Sequence, residues 1–154
     1  MEQCKIVRGG EHFHGKQGLD YFSGISAESA GSKAICMHLL VMPPGAESKP
    51  HYHAAHETAI YMLEGAAEFR HGPKLEHHDR VKAGDFIYIP AGVPHQPFNP
   101  TGRVAKALIS RSDPNEQESV VLLSRRPAQA RTPRPPSLRS TRRSSRPTAV
   151  TTKR

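Results

Sequence analysis

Two stretches of the sequence decide the fold, GAESKPHYHAAHETAIYMLEG at residues 45–65 and GDFIYIPAGVPHQPFN at residues 84–99. In the first stretch, His51 and His53 are two residues apart. On an extended strand their imidazoles therefore point to the same face, about 6.6 Å apart along the chain. In the second stretch, His95 follows an apolar run and a Pro-Ala-Gly-Val-Pro turn. Side chains of this kind from two strands can converge on one ion.

A carboxylate accompanies these histidines. Glu57 has the same parity as His53, so it is expected on the same face. Three neutral nitrogens and one oxygen leave positions in an octahedral shell for water, substrate or dioxygen. The set suits one divalent transition metal ion, and the ligand types do not choose among Fe, Mn, Ni, Co, Cu and Zn. The predicted metal ligands are His51, His53, Glu57 and His95.

The surrounding sequence predicts short strands separated by turns. Residues 34–42 form an apolar run ended by Pro-Pro-Gly, which indicates a strand buried on both faces. Residues 58–70 are interpreted as one long or bulged strand with a central glycine, and residues 85–90 and 103–110 as two further strands. No long amphipathic helix accompanies them. The pattern is typical of an all-β sandwich or barrel.

Composition divides the 154 residues into three parts. Residues 1–33 are predicted as an N-terminal extension with short edge strands, and residues 34–124 as the β-barrel domain. Residues 125–154 carry 10 of the 22 basic residues and no acidic one, which leaves 12 basic against 14 acidic residues before them, a net charge of −2. Because this last stretch is rich in Pro, Arg, Ser and Thr, we expect a disordered basic tail.

The two histidine stretches resemble the motifs of the cupin superfamily. The second motif is matched at every position, by Gly84, Pro90, Gly92, His95 and Asn99. The first motif is matched by Gly45, His51, His53 and Glu57, whereas Gly65 arrives one residue late. The resemblance covers roughly residues 34–111. It implies a double-stranded β-helix, also called a jelly-roll barrel, with the metal inside one end, and it implies a homodimer.

The late Gly65 leaves two registers open. Either a bulge follows Glu57, or the acidic position of the motif falls one residue on, at Thr58. If Glu57 faces the pocket, alternation places Ala59, Tyr61 and Leu63 beside it. Phe86 and Tyr88 are the pocket candidates from the second motif. Tyr61 and Tyr88 are therefore candidate catalytic residues that orient substrate or donate a proton, the alternative being packing with a bonded hydroxyl.

Other histidines are assigned to the surface. His56 has the opposite parity to His53 and is predicted to be an exposed loop residue. His12 and His14 form a second His-x-His pair without a carboxylate or a third histidine nearby in sequence, which favours a solvated edge strand.

The function predicted from these features is metal-dependent action on a small organic molecule, foremost as an oxidoreductase of the dioxygenase type. A non-catalytic module that binds or senses a metabolite, and a cupin isomerase or decarboxylase, are the alternatives. We expect a cytoplasmic protein, because no signal peptide or apolar membrane span is evident. Nucleic-acid binding through the tail is not favoured, since the remaining chain is near neutral.

Overall fold

The computed structural model describes residues 3–115 and 119–124. Eleven strands and one short helix follow one another along this part of the chain. They are β1 (His12–His14), β2 (Asp20–Ile25), α1 (Ala27–Ala30), β3 (Cys36–Met42), β4 (His51–His53), β5 (Thr58–Glu64), β6 (Ala66–His71), β7 (His77–Lys82), β8 (Phe86–Ile89), β9 (His95–Phe98), β10 (Ala105–Arg111) and β11 (Val120–Leu122). The prediction of an all-β fold is confirmed. The predicted tail at residues 125–154 lies outside the described residues.

The strands form two antiparallel sheets. The six-stranded sheet has the order β1-β2-β3-β10-β5-β8, and the five-stranded sheet has the order β11-β4-β9-β6-β7. The N-terminal strands β1 and β2 extend the larger sheet at its edge, where β2 pairs with β3. From β3 to β11 the chain changes sheet between successive strands, except between β6 and β7, which is the arrangement of a jelly-roll barrel.

The core lies between the two sheets. Strands β3 and β10 pair along their whole length, and in each of them every second residue is buried. The other face of β3 is half-buried rather than buried, so the expected two-sided burial holds for one face only. The buried apolar residues that form the central cluster are Leu19, Tyr21, Leu40, Met42, Met62, Ala67, Ala105, Ala107 and Ile109.

Gly65 divides what the sequence predicts as one long strand. The chain leaves the larger sheet at the end of β5 and enters the smaller sheet at the start of β6. Gly65 has φ of +73°, and a Cβ atom there would collide with the carbonyl oxygen of Val104. A positive φ and a close backbone approach both favour glycine. This crossing therefore fixes which residues of β5 face the barrel interior.

The described residues contain no helix long and apolar enough to cross a membrane.

Candidate metal centre

Three histidines converge at one end of the barrel. Strand β4 presents His51 and His53 on the same face, and β9 pairs with β4 so that His95 stands opposite His51. The ring centroids are 4.2 Å apart for His51 and His95, 5.0 Å for His53 and His95, and 5.2 Å for His51 and His53. One nitrogen from each ring lies within 4.8 Å of the other two. The group could hold a metal ion.

Hydrogen bonds orient two of these rings. The Nδ1 atoms of His51 and His95 lie 2.8 Å and 2.9 Å from the carbonyl oxygens of Lys49 and Val93. A carbonyl only accepts, so each Nδ1 carries the proton and each Nε2 keeps its lone pair. Fixing a ligand's tautomer through its second nitrogen is how proteins orient metal-binding histidines.

Burial keeps the rings neutral. All three residues are 2–3% exposed. Desolvation lowers the pKa of His51 to about 4 and that of His95 to about 3, with the nearby charge of Arg111 acting in the same direction. Desolvation also lowers the pKa of His53, again assisted by Arg111. Neutral imidazoles are the form that binds metals, and the Nδ1 of His53 is buried without a hydrogen-bond partner. The donor set therefore fits a divalent transition metal ion.

The histidines line a cavity between the two sheets. Most of its wall is apolar and comes from both sheets. These apolar residues include Leu40, Met42, Ile60, Met62, Phe69, Val81, Ile87, Ile89 and Ile109. Such a cavity suits a small organic molecule.

The structure does not bring Glu57 into the histidine group. Glu57 is exposed, and its Oε1 accepts a 2.8 Å hydrogen bond from the Tyr88 hydroxyl. The next residue, Thr58, is 2% exposed and lines the cavity with the histidines. The physical reason is the strand crossing at Gly65, which sets the register of β5. The sequence prediction did not select Thr58 for the site. The signal for it was Gly65, whose late position in the motif left open a register one residue further on.

The same register decides the position of the two candidate catalytic tyrosines. On β5, Ile60 and Met62 line the cavity, whereas Tyr61 lies against Phe86 with ring centroids 4.6 Å apart. Tyr88 is 61% exposed and Phe86 is 82% exposed. Neither candidate hydroxyl belongs to the wall of the histidine cavity. An inward Glu57 would have placed Ala59, Tyr61 and Leu63 on the cavity side of β5. The residues of β5 that line the cavity are instead Thr58, Ile60 and Met62.

Two further polar residues of the cavity wall were missed by the sequence prediction. Arg111, the last residue of β10, is 3% exposed, and Tyr21 of β2 is 2% exposed. The guanidinium carbon lies 5.8 Å from the centre of the Tyr21 ring. An arginine at the end of an apolar strand is most often a surface residue. Nothing local in the sequence distinguishes it from one.

His56 differs from the prediction of an exposed loop residue. It is 1% exposed and stacks on His53 with ring centroids 4.4 Å apart. Its Nδ1 is 2.5 Å from the Ser119 hydroxyl and 3.7 Å from a carboxylate oxygen of Asp113. His56 packs against the group of His51, His53 and His95 because the loop between β4 and β5 folds inward.

The second His-x-His pair lies on the exposed edge strand β1, as predicted. Both rings contact one carboxylate, since Oδ1 of Asp20 is 3.2 Å from Nε2 of His12 and 2.8 Å from Nδ1 of His14. The pair lies in the six-stranded sheet, whereas His51, His53 and His95 lie in the five-stranded sheet, so the pair serves as a matched control for them.

Comparison with known proteins agrees with this architecture. The family model described as "Cupin domain" matches residues 38–110, a range that includes His51, His53 and His95. No curated protein matches the chain.

Solved structures share the fold at low sequence identity. The polyketide cyclase RemF from Streptomyces resistomycificus is 22% identical, with a TM-score of 0.62, over 82% of this chain and 87% of that one. A variant of Bacillus subtilis oxalate decarboxylase is 22% identical, with a TM-score of 0.63, over 74% of this chain and 30% of that one. The Lactobacillus farciminis oxalate decarboxylase in its formate complex is 19% identical, with a TM-score of 0.63, over 74% and 33%. The chain spans about a third of these decarboxylases. The family match and the two-sheet barrel show that residues 38–110 form a cupin domain, and these solved structures share its fold.

Proposed function

We propose that the protein binds one divalent transition metal ion through His51, His53 and His95 and acts on a small organic molecule held in the barrel cavity. The observation that carries this proposal is the convergence of three buried histidines whose ligand nitrogens lie within 4.8 Å of one another. A bound metal would supply Lewis acidity and a place where substrate and dioxygen meet. The protein's own residues orient the imidazoles, keep them neutral and surround the ligand with an apolar wall.

Among the enzymatic alternatives, an oxidoreductase of the dioxygenase type is the proposal that the cavity supports best. Isomerase or decarboxylase chemistry needs a side chain that takes up or donates a proton beside the metal. On the described cavity wall the one carboxylate is that of Glu68, and it is 2.6 Å from Nε2 of the half-exposed His78. The Glu68 carboxylate therefore already has a hydrogen-bond partner on the outer side of the barrel. A non-catalytic metabolite-binding module remains the second candidate, because it needs the same metal and cavity without a proton carrier.

The first test is metal content. Full-length protein purified without a His-tag and reconstituted with Fe(II), Co(II) or Zn(II) is expected to retain one equivalent after desalting. Replacing His51, His53 or His95 with Gln should remove most of it. The matched control is the double variant H12Q/H14Q, which loses an exposed His-x-His pair and should retain the full equivalent. Equal loss in the control, or full retention in the three single variants, would contradict the proposed centre.

The second test separates catalysis from binding. The Fe(II)-loaded protein is incubated with a panel of catechols, thiols and diketones while dissolved oxygen is followed with an electrode. Oxygen consumption that disappears in His95→Gln supports the oxidoreductase. Substrate-induced spectral change of the Co(II) form without oxygen consumption supports the binding module instead.

We also propose that the protein is a homodimer. Strand β8 is the free edge of the six-stranded sheet, and it exposes Phe86 and Tyr88. On the neighbouring strand β5, Leu63 is 47% exposed. An apolar patch at a sheet edge is typical of a surface that pairs with another chain. The same face of a second copy, packed against this one, would cover the patch.

A further inference from the structure

Arg111 is a buried cation, and two of its three guanidinium nitrogens lack a hydrogen-bond partner. The residue is 3% exposed, and its Nε and Nη1 atoms are buried without a hydrogen-bond partner. It lies on the wall of the cavity that contains the three histidines. A buried charge without a partner is costly, so proteins ordinarily pair such groups or use them. The position of Arg111 therefore indicates that its guanidinium binds an anionic ligand.

The other charges on the described cavity wall do not provide that anion. The Lys106 ammonium is 2.7 Å from a carboxylate oxygen of Glu64, and Glu68 is bonded to His78. Neither of these carboxylates is left to pair with Arg111. A divalent ion held by neutral histidines would add two further positive charges to the same cavity. The cavity therefore favours a negatively charged ligand.

Thr58 provides a second donor at the same place. In the register of β5 and β10, Thr58 is the residue opposite Arg111. Its Oγ1 is buried and lacks a hydrogen-bond partner. A hydroxyl and a guanidinium on adjacent strands can both donate to one small anionic group. Two unused donors side by side are unusual in a folded core.

We propose that Arg111, with Thr58 beside it, binds the carboxylate of a small organic acid whose apolar part packs against the cavity wall. This deepens the function proposed above by naming the substrate class, and its chemical consequence rests on that function. A carboxylate is favoured over phosphate because the described wall offers one unpaired cation, whereas a phosphate dianion is ordinarily held by several cationic and backbone donors. The apolar residues around the site fit a short alkyl or aryl chain.

The test compares ligands that share a shape and differ in charge. Butyrate and benzoate are titrated into the full-length protein by calorimetry and thermal shift, alongside butyramide, benzamide and inorganic phosphate. Each titration is run on metal-free and on Zn(II)-loaded protein. In both forms the carboxylates should bind and raise the melting temperature, while the amides should not. Equal binding of amides and carboxylates, or tighter binding of phosphate than of both carboxylates, would overturn the proposal.

Three variants separate recognition by Arg111 from a structural role. Arg111→Met should weaken carboxylate binding to metal-free protein about 10- to 100-fold and should raise the melting temperature of the ligand-free protein, because an unpaired buried charge is removed. Arg111→Lys should retain part of the affinity. Arg80→Met removes an exposed arginine of β7 and should bind like the unmodified protein. Wild-type carboxylate affinity in Arg111→Met would overturn the proposal. If that variant does not fold, Arg111→Lys and the amide comparison decide.

The metal-free arm keeps this test independent of the metal site. Carboxylate binding without metal retention would leave the anion site standing and contradict the proposed metal function. Metal retention without any charge-dependent binding would leave the proposed metal function standing and contradict the anion site.

Discussion

The Tyr88 hydroxyl donates a 2.8 Å hydrogen bond to the Glu57 carboxylate on the outer surface of the barrel. This bond engages the only acidic residue in the loop that joins the two histidines of β4 to β5. The inward position next to it belongs to Thr58. The centre is therefore proposed as three neutral nitrogens, with no carboxylate among the described residues of its group.

Replacing Glu57 with Gln is expected to leave metal retention unchanged. The hydrogen bond to Glu57 raises the pKa of Tyr88 above its ordinary value, so the same variant should lower that pKa toward the ordinary range. Ultraviolet titration of tyrosinate absorbance, with Tyr88→Phe to identify the signal, measures the second effect. Loss of the metal equivalent in Glu57→Gln would return Glu57 to the ligand set.

Replacing Thr58 with Val is expected to stabilise the ligand-free protein. The two side chains have similar shapes, and the variant removes a buried hydroxyl that lacks a partner. We expect the free energy of unfolding to rise by up to about 1 kcal/mol, measured by urea denaturation. Metal retention should not change. A clear loss of stability would indicate that the hydroxyl has a structural partner.

Replacing Gly65 with Ala should be more harmful than replacing Gly45 with Ala. Both glycines have positive φ, +73° and +77°. An added methyl group meets Val104 at Gly65, whereas no atom lies within 4 Å at Gly45. Backbone strain alone predicts about 1–2 kcal/mol for Gly45→Ala, and the clash adds to this at Gly65. Denaturant midpoints of the two variants check the order, and equal midpoints would contradict a steric role for Gly65.

The metal-free protein should lose stability as the pH falls from about 6.5 toward 4. The folded-state pKa values of His51 and His95 are lowered to about 4 and about 3 by burial. Below pH 6.5 the unfolded chain therefore binds protons that the folded protein does not, and the free energy of unfolding decreases. The slope is at most about 1.4 kcal/mol per pH unit for each histidine. Urea denaturation in EDTA across this pH range measures the slope, and His95→Gln should make it smaller. An unchanged slope in that variant would contradict a lowered pKa of His95 as one of its sources.

Replacing Phe86 with Ser is expected to weaken the proposed homodimer. Phe86 is 82% exposed at the free edge of the larger sheet, and a large aromatic residue at an interface commonly contributes much of the affinity. Light scattering after size exclusion should show at least about a tenfold rise in the dimer dissociation constant. Glu28→Ser on the short helix α1 is a surface control. A monomeric wild-type protein at all concentrations would contradict the proposal.

Several features of the barrel were accessible from sequence because they are local. Residues 34–42 predict a strand, and β3 occupies Cys36–Met42 within them. Gly45, Gly84 and Gly92 are glycines of the two motifs, and all three have positive φ, the conformation that favours glycine. Two-residue spacing on an extended chain suffices to place His51 and His53 on one face.

The tertiary structure decided the rest of the site. Whether Glu57 or Thr58 faces inward depends on the crossing at Gly65, where the Val104 backbone on another strand leaves no room for a side chain. A shift of one residue inverts every side chain of a strand, so Tyr61 was expected inside and lies outside. Arg111 reaches the cavity because β10 pairs with β5 and sets it opposite Thr58, a contact between residues 53 positions apart. The sequence determined which residue types are present and how they alternate; only the pairing of distant strands determined which of them share the interior.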